Sequence, residues 1–153
     1  MEQENRSVEK EYLIYSDIWG QLVEDIGYNR SGIYKLRCFA DEQQKNYIAT
    51  CRLLASDING VLYIGSAEKC LVARVMSLRK SLCAAAGVGF EDINAHQCGK
   101  KYSAVIQDKF PFKSLSVTIE IKDNNWDAEA IALKDYENEF GELPPFNDAR
   151  SKG

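Results

Sequence analysis

The chain has 153 residues, 45% of them hydrophobic and 27% charged, with a formal net charge of −4. That length suits one domain with a core of ordinary size, and no apolar run approaches the roughly 20 residues that a membrane helix needs. The negative balance argues against a protein that coats nucleic acid by bulk attraction. The polar start, MEQENRSVEKE, lacks the apolar stretch of a signal peptide, so the expected setting is cytoplasmic.

In chain order, residues 1–10 read as a mobile N-terminal tail and residues 11–150 as a single domain. Residues 11–28 mix apolar and acidic positions and cannot be assigned a type. Gly32 to Phe39 alternates and is rich in strand formers, and Tyr47 to Leu54 reads as a second strand. Asn59-Gly60 is a two-residue hairpin signal, because both residues tolerate positive φ, and Val61 to Ile64 would follow as the third strand. Between Ala67 and Leu82, apolar residues fall at Leu71, Val75, Leu78 and Leu82, which is helical spacing.

Residues 84–95 contain Gly87 and Gly89 and read as a loop. Lys100 to Lys109 reads as a helix stopped near Pro111. Leu115, Val117, Ile119 and Ile121 alternate cleanly, as in a strand with one buried face. Asp123, Asn124 and Asn125 are capping side chains. A last helix is predicted from Asp127 to Phe140, with Gly141 as its stop and Pro144-Pro145 beyond. These elements describe an α+β fold: a small central mixed, mainly antiparallel sheet flanked by helices.

The five cysteines, Cys38, Cys51, Cys70, Cys83 and Cys98, are odd in number and contain no CxxC pair. With a single histidine in the chain, neither a disulfide framework nor a zinc ribbon fits. Charge is uneven along the chain. Residues 1–30 carry three basic and seven acidic side chains, and residues 122–143 carry two and seven. Residues 60–113 carry eight basic (Lys69, Arg74, Arg79, Lys80, Lys100, Lys101, Lys109, Lys113) against four acidic.

Two helices place polar groups where apolar ones are expected. On a wheel of the last helix, Glu129 points with Leu133, Tyr136 and Phe140, and a carboxylate on that side needs a partner or a metal. It reads equally as a first-turn acid favoured by the helix dipole, or as half of an internal ion pair. On the helix at 67–82, Arg74 lies about 60° from the centre of the apolar stripe, so its stem can cover the core while its guanidinium stands over the rim. Arg79, on the other side, is the weaker candidate.

Two strand triplets then carry a resemblance. Gly32-Ile33-Tyr34 and Tyr63-Ile64-Gly65, in that order, resemble the two motifs that name the GIY–YIG nuclease domain family. Arg74 on the following helix and EAIALK (Glu129 to Lys134) are similar to the arginine and glutamate helices of that family. FGELPPFN, ending at Asn147, is similar to the tail of many bacterial members, and HQCGKKY (His96 to Tyr102) to a stretch seen in a subset. The similarity spans roughly residues 30–147. It departs from the family in three places. The triplets are 28 residues apart, Arg74 follows Tyr63 by eleven residues, one more than in most members, and the interval from Glu129 to Asn147 is long. The last leaves Asp135 as a rival acid, but it falls far from the apolar face of its helix.

The resemblance implies an endonuclease that hydrolyses phosphodiester bonds, with DNA ahead of RNA as substrate. Such hydrolysis needs a deprotonated water, charge neutralisation on the phosphate and help for the leaving oxygen. Glu129 would hold Mg2+ (or Mn2+), which can be bound by one carboxylate with substrate phosphate and waters. Arg74 would grip non-bridging phosphate oxygens with its planar fork. Tyr34 and Tyr63 would flank the attacking water, and the family implies Tyr34 as general base. His96 reads first as the cap of a helix starting near Gly99, and second as a proton relay or phosphate contact. Gly65, Arg79, Lys100, Lys101 and Asn147 are the expected substrate contacts. No separate DNA-binding domain is evident, so a protein partner, a homo-oligomer or the basic middle would supply specificity. The alternative is a nucleic-acid-binding or protein-interaction module of the same fold that cleaves little.

Overall fold

The computed structural model describes residues 9–16, 19–89, 93–102, 104–123 and 126–148. In chain order these form β1 (Glu9–Leu13), α1 (Trp19–Ile26), β2 (Gly32–Cys38), β3 (Thr50–Cys51), β4 (Ser56–Asp57), β5 (Tyr63–Ala67), α2 (Leu71–Ala85), α3 (Gln97–Lys101), α4 (Ala104–Lys109), β6 (Leu115–Ile121) and α5 (Ala128–Phe140). The fold is α+β. Four strands make one sheet in the order β1-β6-β2-β5, and every pairing in it is antiparallel, which corrects the expectation of a mixed sheet. Among the described residues, no helix is long and apolar enough to cross a membrane.

Strand alternation splits β2 between two layers. Tyr34, Leu36 and Cys38 join the larger core with Val117 and Ile119 of β6, Leu71, Val75, Leu78 and Leu82 of α2, and Leu22 and Ile26 of α1. On the opposite face, Leu133, Tyr136 and Phe140 of α5 pack on Val61 and Ile64. So α2 and α5 sandwich the β2–β5 side of the sheet, and β5 is its edge. Full burial of a Leu or Ile side chain contributes roughly 1.5–3 kcal/mol, and these two stripes fix both helices against the strands that carry the tyrosines.

The described structure departs from the sequence expectation in several places. Glu9 and Lys10 begin β1 rather than ending a tail. This strand alternates acids with its one buried aromatic, Tyr12, and charge on an edge strand discourages further pairing. The predicted second strand shrinks to Thr50–Cys51, paired with Ser56–Asp57. That hairpin turns at residues 52–55, not at Asn59-Gly60. Asn59 and Gly60 instead wrap the buried Asp57. Its Oδ1 accepts from Asn59 N (2.9 Å) and Gly60 N (3.2 Å), and its Oδ2 from Val61 N (3.0 Å) and the Tyr136 hydroxyl (2.9 Å). Asp57 thereby ties α5 to the start of β5. The third strand runs Tyr63–Ala67 rather than 61–64, and α2 runs Leu71–Ala85. The helix expected at 100–109 is two, α3 and α4. Of the capping trio, Asn124 and Asn125 lie outside the described residues. Asp123 does not cap α5; it binds Arg30 and the Ser31 amide. Strand β6 and helix α5 lie as expected, with Gly141 at φ 81° closing α5.

Candidate active site at the end of the β5 edge strand

The two triplets meet as a cross-strand pair. Strand register sets Tyr34 directly opposite Gly65. A Cβ at position 65 would lie 2.5 Å from the Tyr34 hydroxyl and 2.8 Å from the Tyr63 ring, so only glycine lets the Tyr34 ring cross the strand there. The two tyrosine ring centroids are 6.0 Å apart. Gly65 was expected to contact substrate; its place in the structure is beneath the two rings. Gly32 plays a related part, because a Cβ there would collide with the Glu120 carbonyl of β6.

His96 closes the group. Its ring lies 5.0 Å from that of Tyr63, edge on, and its Nε2 is 2.8 Å from the Tyr34 hydroxyl. It is also the N-cap of α3, which starts at Gln97 rather than near Gly99, and its Nδ1 accepts from the Cys98 amide at 3.1 Å. A backbone amide always donates, so Nδ1 carries no proton and the neutral ring is protonated at Nε2. Nε2–H therefore donates to the Tyr34 oxygen. Burial, then the charge of Arg74, lowers the His96 pKa to about 4, which keeps the ring neutral at physiological pH. The capping role and the contact with a candidate catalytic tyrosine belong to one side chain. Two residues not singled out in the sequence hold it. The Ser81 hydroxyl lies 2.6 Å from the His96 carbonyl, and Gly99 leaves the space that Ser81 fills.

Arg74 and Glu129 reach this cluster from opposite layers of the sheet. Arg74 stands exposed in the first turn of α2, and Glu129 half-buried in the first turn of α5. Burial raises the Glu129 pKa, and a hydrogen bond with Ser66 and the charge of Arg74 oppose the rise. Burial raises Tyr34 well above the ordinary tyrosine value; Tyr63, Cys98 and Glu129 add to the rise and Arg74 opposes it. Tyr63 is pushed up to about 12 by burial, then by Cys98 and Glu129, against Arg74 and a hydrogen bond with Gln97. The arrangement is a cation and a carboxyl beside two phenols, one of which is hydrogen-bonded to a neutral imidazole. Asp135, the rival acid, is exposed and lines a groove with Lys35 and Arg37 on the α5 side of the sheet. Among the described residues, no three His, Cys, Asp or Glu side chains gather as a metal site.

Several expected substrate contacts have other partners. Arg79 donates from Nε to the Ile14 carbonyl (3.0 Å) and from Nη2 to the Ser16 carbonyl (3.4 Å), and so binds the turn after β1. Asn147 is buried, and both ends of its amide serve Ile64. Its Oδ1 accepts from Ile64 N and its Nδ2 donates to Ile64 O, each at 3.0 Å. It thus continues the ladder along the open edge of β5, next to the Phe146 amide on the Leu62 carbonyl. Lys101 pairs with Asp148 at 2.5 Å, and Lys100 is exposed. Comparison of the chain with family models, with curated proteins and with solved structures yields no match.

Proposed function

We propose that the protein is a divalent-metal-dependent endonuclease of the GIY–YIG kind, acting on nucleic acid, with DNA as substrate and the cytoplasm as its setting. The observation that carries this reading is the packing of Tyr34, Tyr63 and His96 from β2, β5 and the α3 cap, with Arg74 of α2 and Glu129 of α5 near enough for their charges to act on the two tyrosines. Each has a use in phosphodiester hydrolysis. Arg74 binds the phosphate oxygens bidentately. Tyr34 acts as the phenolate, its own proton having been released to solvent, and takes the proton of the attacking water. The His96 Nε2–H stabilises the phenolate more than the phenol, and the positive charge of Arg74 acts in the same sense. Tyr63 stands beside Tyr34, where its hydroxyl helps to orient the water.

Glu129 fits a hard cation held by one carboxylate. It is half-buried beside the Ser66 hydroxyl, and Mg2+ or Mn2+ is commonly bound through one or two carboxylates plus substrate phosphate and waters. When bound, the ion supplies charge neutralisation at the phosphate and the leaving oxygen. The complete burial of Tyr34 favours a second reading, in which the same cluster binds nucleic acid but cleaves little. Supercoiled plasmid incubated with the protein and Mg2+ separates the two. The nuclease reading expects nicked or linear product that EDTA suppresses. Retarded but intact plasmid, with Mg2+ and with Mn2+, contradicts it in favour of the second reading.

A further inference from the structure

Two large aromatics stand in solvent on loops that adjoin elements of this site. Trp126 is 66% exposed and Tyr28 is 64% exposed. Single exposed aromatics are ordinary, but the location of these two is informative. Trp126 lies three residues before Glu129, in the loop joining β6 to α5. Tyr28 lies two residues before Arg30, in the loop joining α1 to β2. The two loops are fastened together. Arg30 donates to Asp123 at 2.8 Å, the Ser31 amide donates to the same carboxylate at 3.2 Å, and the Lys122 amide donates to the Ser31 carbonyl at 2.9 Å. The Leu71 amide donates to the Arg30 carbonyl at 2.9 Å, which fastens the α1–β2 loop to the turn of α2 that carries Arg74. These bonds hold residues 30–31 and 122–123 in register with the start of α2.

The surroundings say what such aromatics can receive. The charged residues described along the two loops and the adjoining β5–α2 loop include the half-buried Arg30 and the exposed Glu68, Lys69, Asp123 and Asp127. An apolar protein partner would need a contiguous apolar patch, and charged residues interrupt these loops. A nucleobase has a flat π face and a polar edge. It can stack on a tryptophan and leave its edge among polar groups, while its phosphate is held by an arginine.

We infer that Trp126, together with Tyr28, is a stacking platform for an unpaired base beside the scissile phosphate, so that the preferred substrate carries a single-stranded segment. This rests on the reading of the site as a binder of nucleic-acid phosphate. Bases inside a continuous duplex are stacked on each other and cannot offer a face to Trp126. A single-stranded flap or end can. Loss of one stacked base weakens binding on the order of tenfold.

The chain has two tryptophans, so Trp19→Phe leaves Trp126 as the sole indole reporter. Full-length Trp19→Phe/Glu129→Gln protein is titrated with a labelled single-stranded oligonucleotide, a flapped duplex and a blunt duplex of equal length. Anisotropy of the label gives affinity, and indole fluorescence gives stacking. Indole quenching is expected on saturation with the single strand and the flap, and not with the blunt duplex. In a Glu129→Gln chain that keeps Trp19, Trp126→Ala should lose about tenfold in affinity for the first two while Trp126→Phe keeps most of it. Saturated binding with unchanged indole emission overturns the inference, as does equal affinity of the alanine variant. The readout is binding, so an enzyme that cleaves plasmid while Trp126 stays silent refutes the platform and leaves the nuclease reading standing. Quenching without any cleavage by the Trp19→Phe parent does the reverse. No binding to any of the three oligonucleotides overturns both.

Discussion

Lowering the pH from 7 to 4 should cost the folded chain about 3 kcal/mol through His96 alone. His96 is 2% exposed, and its pKa falls from the ordinary 6.5 to about 4 through burial and then the nearby Arg74 charge. The sign follows from which state takes the proton first. The unfolded chain binds a proton as the pH falls through 6.5, while the folded chain resists until about 4. Stability is therefore full above pH 6.5 and declines across that window, at about 1.4 kcal/mol per pH unit. The groups that face the ring are Tyr34 on β2, Tyr63 on β5, Arg74 on α2 and Cys98 on α3. Burial raises Tyr34, Tyr63 and Cys98 above their ordinary values, so these three stay neutral from pH 4 to 7. Glu129, whose pKa is raised, works in the opposite direction and is unchanged in the comparison. His96→Asn is the informative variant, because asparagine also caps helices but does not titrate. At pH 7 it should lose about 1 kcal/mol with the Tyr34 hydrogen bond. Urea unfolding at several pH values from 7 to 4 should then show the wild-type chain losing 2–3 kcal/mol more than the variant. Parallel stability curves for the two proteins would refute the reasoning.

Gly65→Ala should destabilise the fold by about 1–3 kcal/mol, since its methyl group must displace the Tyr34 or Tyr63 ring; thermal unfolding measures the loss, and plasmid cleavage should fall by more than the unfolded fraction explains. Asn147→Ala should cost about 1–3 kcal/mol by stranding the buried Ile64 amide and carbonyl, and duplex affinity of the folded protein should be unchanged, which would fail if Asn147 contacted substrate. Lys100→Ala should reduce the slope of log affinity against log salt by about 0.9 on duplex DNA. Lys101→Ala should change it less, because Asp148 already occupies that ammonium; equal slopes for all three proteins would assign both lysines to ordinary solvated surface.

What the sequence reveals and what it hides follow from how local each feature is. Strand β6 and helix α5 are legible because alternation, the Gly141 stop and the following prolines are written within a few residues of each other. The pairing of the two triplets is legible as a pair of strands, but the reason for Gly65 appears only when the register sets Tyr34 across from it. Strand β1 is obscured because a charged edge strand imitates a tail. Asn59-Gly60 misleads because Asp57, two residues earlier, draws their amides into its own turn and leaves the hairpin to residues 52–55. His96 shows its capping role locally, whereas its contact with Tyr34 spans 62 residues. For Arg79 and Asn147, residue type suggests phosphate and substrate. Only the chain's three-dimensional path reveals that backbone carbonyls and amides take up their hydrogen bonds first.

The central claim is tested most directly by Glu129→Gln, which keeps the shape of the side chain and removes its charge. Single-turnover cleavage with Mg2+, oligonucleotide affinity and melting temperature should be measured on the same preparations. With Glu129 as the sole protein ligand to the ion, the account predicts that cleavage nearly vanishes, that affinity holds or rises because a negative charge facing the phosphate is gone, and that the melting temperature changes little. A variant that cleaves at the wild-type rate, or that loses activity only in proportion to its unfolded fraction, would contradict it.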